Sequence, residues 1–250
     1  MSSRTATLIA LAAAVTIPSF AVAGTYVESS ATNHLTPQAK PQAMKMWAGN
    51  GRFRLEMSGG QVVQIFRDQA FYTLNAAGKS YTKLDKAALD AMTQKANEAN
   101  KSLEALLPPD QRDKKKQANK PQVERTVKAT DRTETAAIGQ PCKVWEVLSN
   151  GTKVQELCVV EVSKLPNGKE LMATMQQVGE AFKGTSASTG MADVWQDVKT
   201  MNGFPVITRM YMNGKLFQEV KTTAMRAADT PESMFTIPAG FKEQKIGEIG

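Results

Sequence analysis

WAGNGRFRLEM-SGG-QVVQIFRD-QAFYTLNAAGKSYTKL, Trp47 to Leu84, is a series of short runs rich in Val, Ile, Phe, Tyr and Thr. Gly-Gly, Asp-Gln and Ala-Ala-Gly-Lys separate them. β-formers bounded by turn formers, with no length for crossover helices, predict an antiparallel meander. Pleating sends Phe53, Leu55 and Met57 to one face and Arg52, Arg54 and Glu56 to the other. Val62 beside Val63, and the run Phe71, Tyr72, Leu74, put apolar groups on both faces. A sheet of that kind is covered on both sides or curved around something apolar.

Outward from the meander, the N-terminus reads as a secretory leader. Arg4 gives a basic start, Leu8 to Val15 is unbroken apolar sequence, and Pro18 precedes Ala21-Val22-Ala23. A charged start, a short apolar core and an A-x-A site predict cleavage between Ala23 and Gly24. The apolar core is shorter than the ~20 residues a membrane span needs, and no later run reaches that length. The expected mature chain, 24–250, is one domain exported to the periplasm, with no membrane span. Loss of Arg4 leaves 30 basic against 24 acidic residues, a net of +6. The charges are scattered, and the one dense run, Lys114-Lys115-Lys116, reads as a solvated loop. A concentrated basic face is lacking, so nucleic acid is not an expected partner.

Two cysteines, Cys142 and Cys158, in an oxidising compartment predict one disulfide. Asn150-Gly151 between them is a hairpin signal. A two-residue turn sets Cys142 opposite Val159, with the sulfurs on opposite faces. A three-residue loop, Ser149 to Gly151, sets Cys142 opposite Cys158, within bridging distance. The expectation is therefore the three-residue loop. Asn150-Gly151-Thr152 also matches a glycosylation sequon.

Tyr26 to Glu28 reads as a first strand. After the meander, Asp85 caps a helix whose apolar residues Leu89, Met92, Ala96, Ala99, Leu103 and Leu106 recur at 3, 4, 3, 4, 3. Pro108-Pro109 stops it. It forms a helical insert at about 85–120 that is either a lid or a docked core helix. β character resumes after Gln122. Leu171, Met175, Val178 and Phe182 form a second helical pattern after Asn167-Gly168, and Met191 to Met201 is ambiguous between helix and strand. Asn213-Gly214 centres a last hairpin, and Phe235, Ile237 and Phe241 are anchors near the end.

This order of motifs resembles the lipoprotein-localisation carriers LolA and LolB, and more closely an uncharacterised exported bacterial family held to share their fold. The likeness rests on Gly51-Arg52-Phe53-Arg54, Lys79-Ser80-Tyr81, and the Pro-rich stop Leu107 to Arg112. Gly139 to Cys142, Gly203-Phe204-Pro205 and the closing Phe235 to Phe241 complete it. The resemblance implies an α+β fold, a curved antiparallel half-barrel covered on one side by helices, with a hollow for acyl chains. It implies that Arg54, the arginine of the Phe-Arg pair, helps hold the helical lid shut. It implies a bacterial setting, where eukaryotic glycosylation of Asn150 is not expected. The chain departs from the carriers in its cysteine pair, its longer insert and the lack of a hydrophobic docking tip.

The functional expectation is a periplasmic, non-enzymatic binding or carrier protein for a lipid or acylated partner such as a lipoprotein. The alternative is a structural or interaction component of the envelope, with an envelope protein as partner and no small ligand. Copper handling through Met44-x-Met46, Met172-x-x-Met175 and Met210-x-Met212 is a third reading, since thioethers select Cu(I). These pairs lack His or Cys support, so no metal or other cofactor is expected. His34, the lone histidine, lies in a loop, and Asp193 with Asp197 reads as a solvated helical pair. No enzyme activity is expected.

Overall fold

The computed structural model describes residues 23–36, 38–106, 108, 124–181 and 199–245. The leader up to Val22, Lys114 to Lys116, most of the Leu107 to Arg112 motif, Phe182, Asp193 and Asp197 lie outside the described residues. The meander forms as expected, as β2 (Gln42–Gly49), β3 (Arg52–Met57), β4 (Val62–Arg67), β5 (Ala70–Asn75) and β6 (Ser80–Leu84). Before it runs β1 (Ala23–Asn33), and after it α1 (Lys86–Leu106). Then come β7 (Arg125–Thr135), β8 (Pro141–Ser149), β9 (Thr152–Glu161) and α2 (Gly168–Ala181). β10 (Gly203–Met212), β11 (Lys215–Asp229) and a short β12 (Lys242–Glu243) complete the order.

Among the described residues, all twelve strands join one sheet in the order β12-β6-β5-β4-β3-β2-β1-β11-β10-β9-β8-β7. Every pairing is antiparallel except the short β12–β6 contact. The sheet is open, with β7 and β12 at its two edges. β1 joins its halves, pairing with β2 on one side and β11 on the other. It is 11 residues long, far longer than Tyr26 to Glu28. Ser29, Ser30 and Asn33 are poor β-formers, and two flanking partners override their propensity.

The cysteines bridge as expected, with Cα atoms 5.2 Å apart, but the predicted three-residue loop is corrected. Asn150 and Gly151 form a two-residue turn with φ of 49° and 75°, and Ser149 pairs with Thr152. The extra residue sits one step up the ladder, where Leu148 pairs with Lys153 and Val147 with Gln155, leaving Val154 as a bulge. A bulge shifts the register by one residue. Cys158 then lies opposite Val144, two residues from Cys142 and so on the same face.

The helices cover the sheet unequally. α2 buries Leu171, Met172, Met175 and Val178 against the sheet at β1 and β2. Gly168 starts it where a Cβ would meet the Val162 carbonyl oxygen at 2.1 Å, so only glycine lets the helix begin there. α1 starts as expected, with Asp85 Oδ1 accepting the Ala88 N–H at 2.9 Å. Leu89 packs with Phe66, Phe71 and Val178. Beyond this first turn the seam is bare: Met92, Leu103 and Leu106 are 43%, 56% and 82% exposed. Among its described residues, α1 is therefore docked on the sheet only through its first turn.

The second face of the sheet is covered by segments without helices of their own length. Over β4 and β5, Phe235 is buried with Val63, Ile65, Tyr72 and Leu74, flanked by Ile237 and Phe241. These are the anchors expected from the sequence. Over β8 and β9, Ala136 and Ile138 join the cluster around the disulfide.

Candidate functional site

The alternation of the central strands aims one set of side chains at a common hollow of about 310 Å³. β1 supplies Val27 and Ser29, β2 Met44 and Met46, β3 Phe53 and Leu55, β4 Gln64 and β5 Phe71. From the other half of the sheet come Phe204, Val206 and Thr208 of β10 and Val220 and Thr222 of β11. Seven neighbouring strands laid flat would span ~29 Å at ~4.8 Å per step. Their meeting around so small a space requires the sheet to curl. The lining carries no charged side chain.

α2 closes one end through Met175 and Val178, and it is tethered rather than free. The N–H groups of Asn50 and Gly51, at the tip of the β2–β3 turn, donate to Glu170 Oε1 and to Thr174 Oγ1. Asn167 Nδ2 donates to the Gly24 carbonyl at 2.7 Å and Thr25 Oγ1 to the Pro166 carbonyl at 2.9 Å. Of the polar members of the lining, Gln64 stands on β4 opposite Leu55, and the three hydroxyls gather on β1, β11 and β10. Ser29 and Thr222 are paired across β1 and β11, with hydroxyls 3.4 Å apart. Thr208 lies on the next strand, opposite Val220. The polar groups of the lining are thus three hydroxyls and one amide, all uncharged.

Arg54 is elsewhere. Its neighbours Phe53 and Leu55 line the hollow, so pleating turns Arg54 to the outer face. There Nη1 donates to the Met234 carbonyl at 3.0 Å and Nε to Glu56 Oε1 at 2.9 Å. Both place it under the C-terminal segment and away from the two helices. Ala23 and Gly24 are the first residues of β1, paired with Asp229 and Ala228. Cys142 and Cys158 lie on the outer face of β8 and β9. Of the methionine pairs, Met44 and Met46 share the inner face, with Met175 above them. Met57 is directly opposite Met44. Met212 is half exposed at the end of β10, so the three pairs do not converge on one point. Among the described residues, no group of three or more His, Cys, Asp or Glu is arranged to hold a metal. His34 is exposed, in the bend after β1.

The strongest electrostatic feature is on the outer face of β9 to β11. Arg209 donates two hydrogen bonds to Glu134, at 2.9 and 2.8 Å, one to Glu156 at 2.6 Å and one to Glu219 at 3.0 Å. Glu156, 3% exposed, also accepts from Arg132. The Arg209 hydrogen bond holds the Glu134 carboxyl below the usual range. Burial pushes Glu156 up, but the two guanidiniums outweigh it and the net shift is down. Burial acts the same way on Glu219, and Lys221 and Arg209 overcome it. Glu134, more than its other partners, raises Arg209. All three carboxylates are thus held ionised. An acid–base site needs titrating groups pushed apart, and these are pushed the same way.

No family model matches the chain, and no curated protein does. Among solved structures, the chain is similar to an uncharacterized conserved protein from Thermus thermophilus. The TM-score is 0.46 at 8% identity, over 91% of this chain and 93% of that one. Two crystal forms of PNGF-II align with a TM-score of 0.40 at 12% and 10% identity. They take in 89% and 90% of this chain but 31% and 32% of theirs, so the chain spans about a third of PNGF-II's length. None of the described helices is long and apolar enough to cross a membrane.

The hollow residues Val27, Phe71, Val178, Phe204, Val206 and Val220 were not separable by sequence. The signal was present in general form, as strands apolar on both faces. Which face meets a void and which meets a covering segment depends on contacts over a hundred residues apart.

Proposed function

We propose that this chain is an exported, non-enzymatic binding protein of carrier type, with a LolA/LolB-like half-barrel whose hollow takes one apolar chain. The ligand is a lipid or the acyl chain of an acylated partner, and the setting is the periplasm. The observation that carries the reading is the uncharged, mostly apolar lining between the curled sheet and α2. Its volume of about 310 Å³ is at the small end of ligand pockets, roughly 300–1,000 Å³. That suits a single chain better than several. Met44, Met46 and Met175 line it, and flexible thioether side chains adapt to varied apolar shapes. The disulfide supports an oxidising compartment.

Native mass spectrometry of the protein purified from a bacterial periplasm tests this. Co-purifying lipid in one-to-one ratio is expected, and Val178→Trp, which fills the hollow, should remove it. A ligand-free protein that also fails to bind added fatty acid would sink the reading. A second reading, an envelope interaction component, has the bare seam of α1 in its favour. The two readings part at the hollow, which the second leaves without a small ligand.

A further inference from the structure

The outer part of α1 is an apolar stripe that this chain leaves uncovered among its described residues. Met92, Leu103 and Leu106 are exposed, and Ala96 and Ala99 between them are exposed too. A helix lying on a sheet carries a broad apolar face. A strict 3, 4, 3, 4, 3 spacing is instead the narrow seam by which one helix pairs with another. The far side is already satisfied within the helix, by Lys86 with Asp90, Gln94 with Glu98, and Ser102 with the Glu98 carbonyl.

The seam also reads the same in both directions. About a midpoint between Asn97 and Glu98, Met92 mirrors Leu103 and Ala96 mirrors Ala99, while Leu89 is buried against its own sheet and stays out of the seam. We propose that α1 is a self-pairing helix, by which two copies of this chain associate as an antiparallel dimer. Met92 of each copy then meets Leu103 of the other, and the alanines meet at the centre, where the backbones approach most closely. At the flanks Lys95 faces Ser102 of the second copy, so no like charges are opposed.

The root of the helix supplies a receiving surface. A groove of about 540 Å³ runs beside it, lined by Ala88, Ala91, Met92 and Lys95, with Lys83 and Glu243 at its rim. Antiparallel pairing brings the second copy's Leu103 and Leu106 there, beside the cluster that already holds Leu89. A parallel pair would crowd both sheets at one end of the helices. With 21 residues the helix is ~32 Å long at 1.5 Å per residue, enough to hold two sheets apart in the antiparallel arrangement.

Analytical ultracentrifugation of the whole exported protein tests this. The mass should rise toward twice the monomer value with concentration, and the Leu103→Asp, Leu106→Asp double variant should stay monomeric with an unchanged melting temperature. Both residues are exposed, so folding is spared. Orientation is read by cross-linking a mixture of Ala96→Cys and Ala99→Cys proteins with a short thiol cross-linker, which should join residue 96 of one to residue 99 of the other. A chain that stays monomeric at every concentration, or a dimer that survives the double aspartate, overturns the proposal. So does preferential joining of 99 to 99, which marks a parallel pair.

Discussion

The two halves of the sheet meet the same difficulty, strands apolar on both faces, and solve it differently. Over β4 and β5 the outer face is sealed by Phe235 and its neighbours, a hydrophobic plug supplied by the C-terminal segment. Over β9 to β11 it is crossed by the Arg209 network, with the disulfide alongside. An apolar plug has no group to titrate, whereas a network of ionised groups depends on its protonation. Both leave the inner face free to curl around the hollow.

Phe235→Ala should have the largest effect, about 3–5 kcal/mol for a fully buried aromatic, read by chemical denaturation. A loss below 1 kcal/mol would mean the plug is ornamental. Arg209→Met should cost about 3 kcal/mol, because it takes one shared guanidinium from Glu134, Glu156 and Glu219, although Glu156 keeps Arg132. Adding Glu156→Gln should recover part of that loss. Failure to recover would show that packing, not charge, matters at β9 and β10.

Reducing the disulfide should cost about 3 kcal/mol, from the ~15-residue loop it closes. An unchanged melting temperature in reductant would count against it. The pH dependence distinguishes the halves directly. Glu134, Glu156 and Glu219 have depressed carboxyl pKa values in the folded chain. Their stabilisation is present above the unfolded glutamate value of about 4.3 and is lost as pH falls through the lower folded values. Arg209→Met should flatten this acid loss, while Phe235→Ala should shift the whole curve down without changing its shape. The smallest effect belongs to Arg54→Leu, about 1–2 kcal/mol for its hydrogen bonds to Met234 and Glu56. Ligand retention should be unchanged; altered retention at constant stability would instead assign Arg54 a lid role.

Much of this was legible in the residues. The turns at Gly59-Gly60, Asp68-Gln69 and Asn213-Gly214 set the meander and the last hairpin. The cysteine pairing followed from parity, although the bulge that makes it sits at Val154 and not in the turn. Asn50-Gly51 carries the same turn signal, and it splits β2 from β3, a division the run from Trp47 to Met57 conceals. Alternation alone separated Arg54 from Phe53 and Leu55. The seam of α1 was visible as a period. Its lack of a partner within the described chain was not, because periodicity reports a face and not what covers it.

The central claim is that an apolar chain enters between the curled strands and α2. Titration of the whole protein with a fluorescent fatty acid, beside Val178→Trp and Arg54→Leu, tests it most directly. The account predicts saturable one-to-one binding that Val178→Trp abolishes and Arg54→Leu leaves intact, with both variants folded. Equal binding to the filled variant, or none to the unmodified chain, would contradict it.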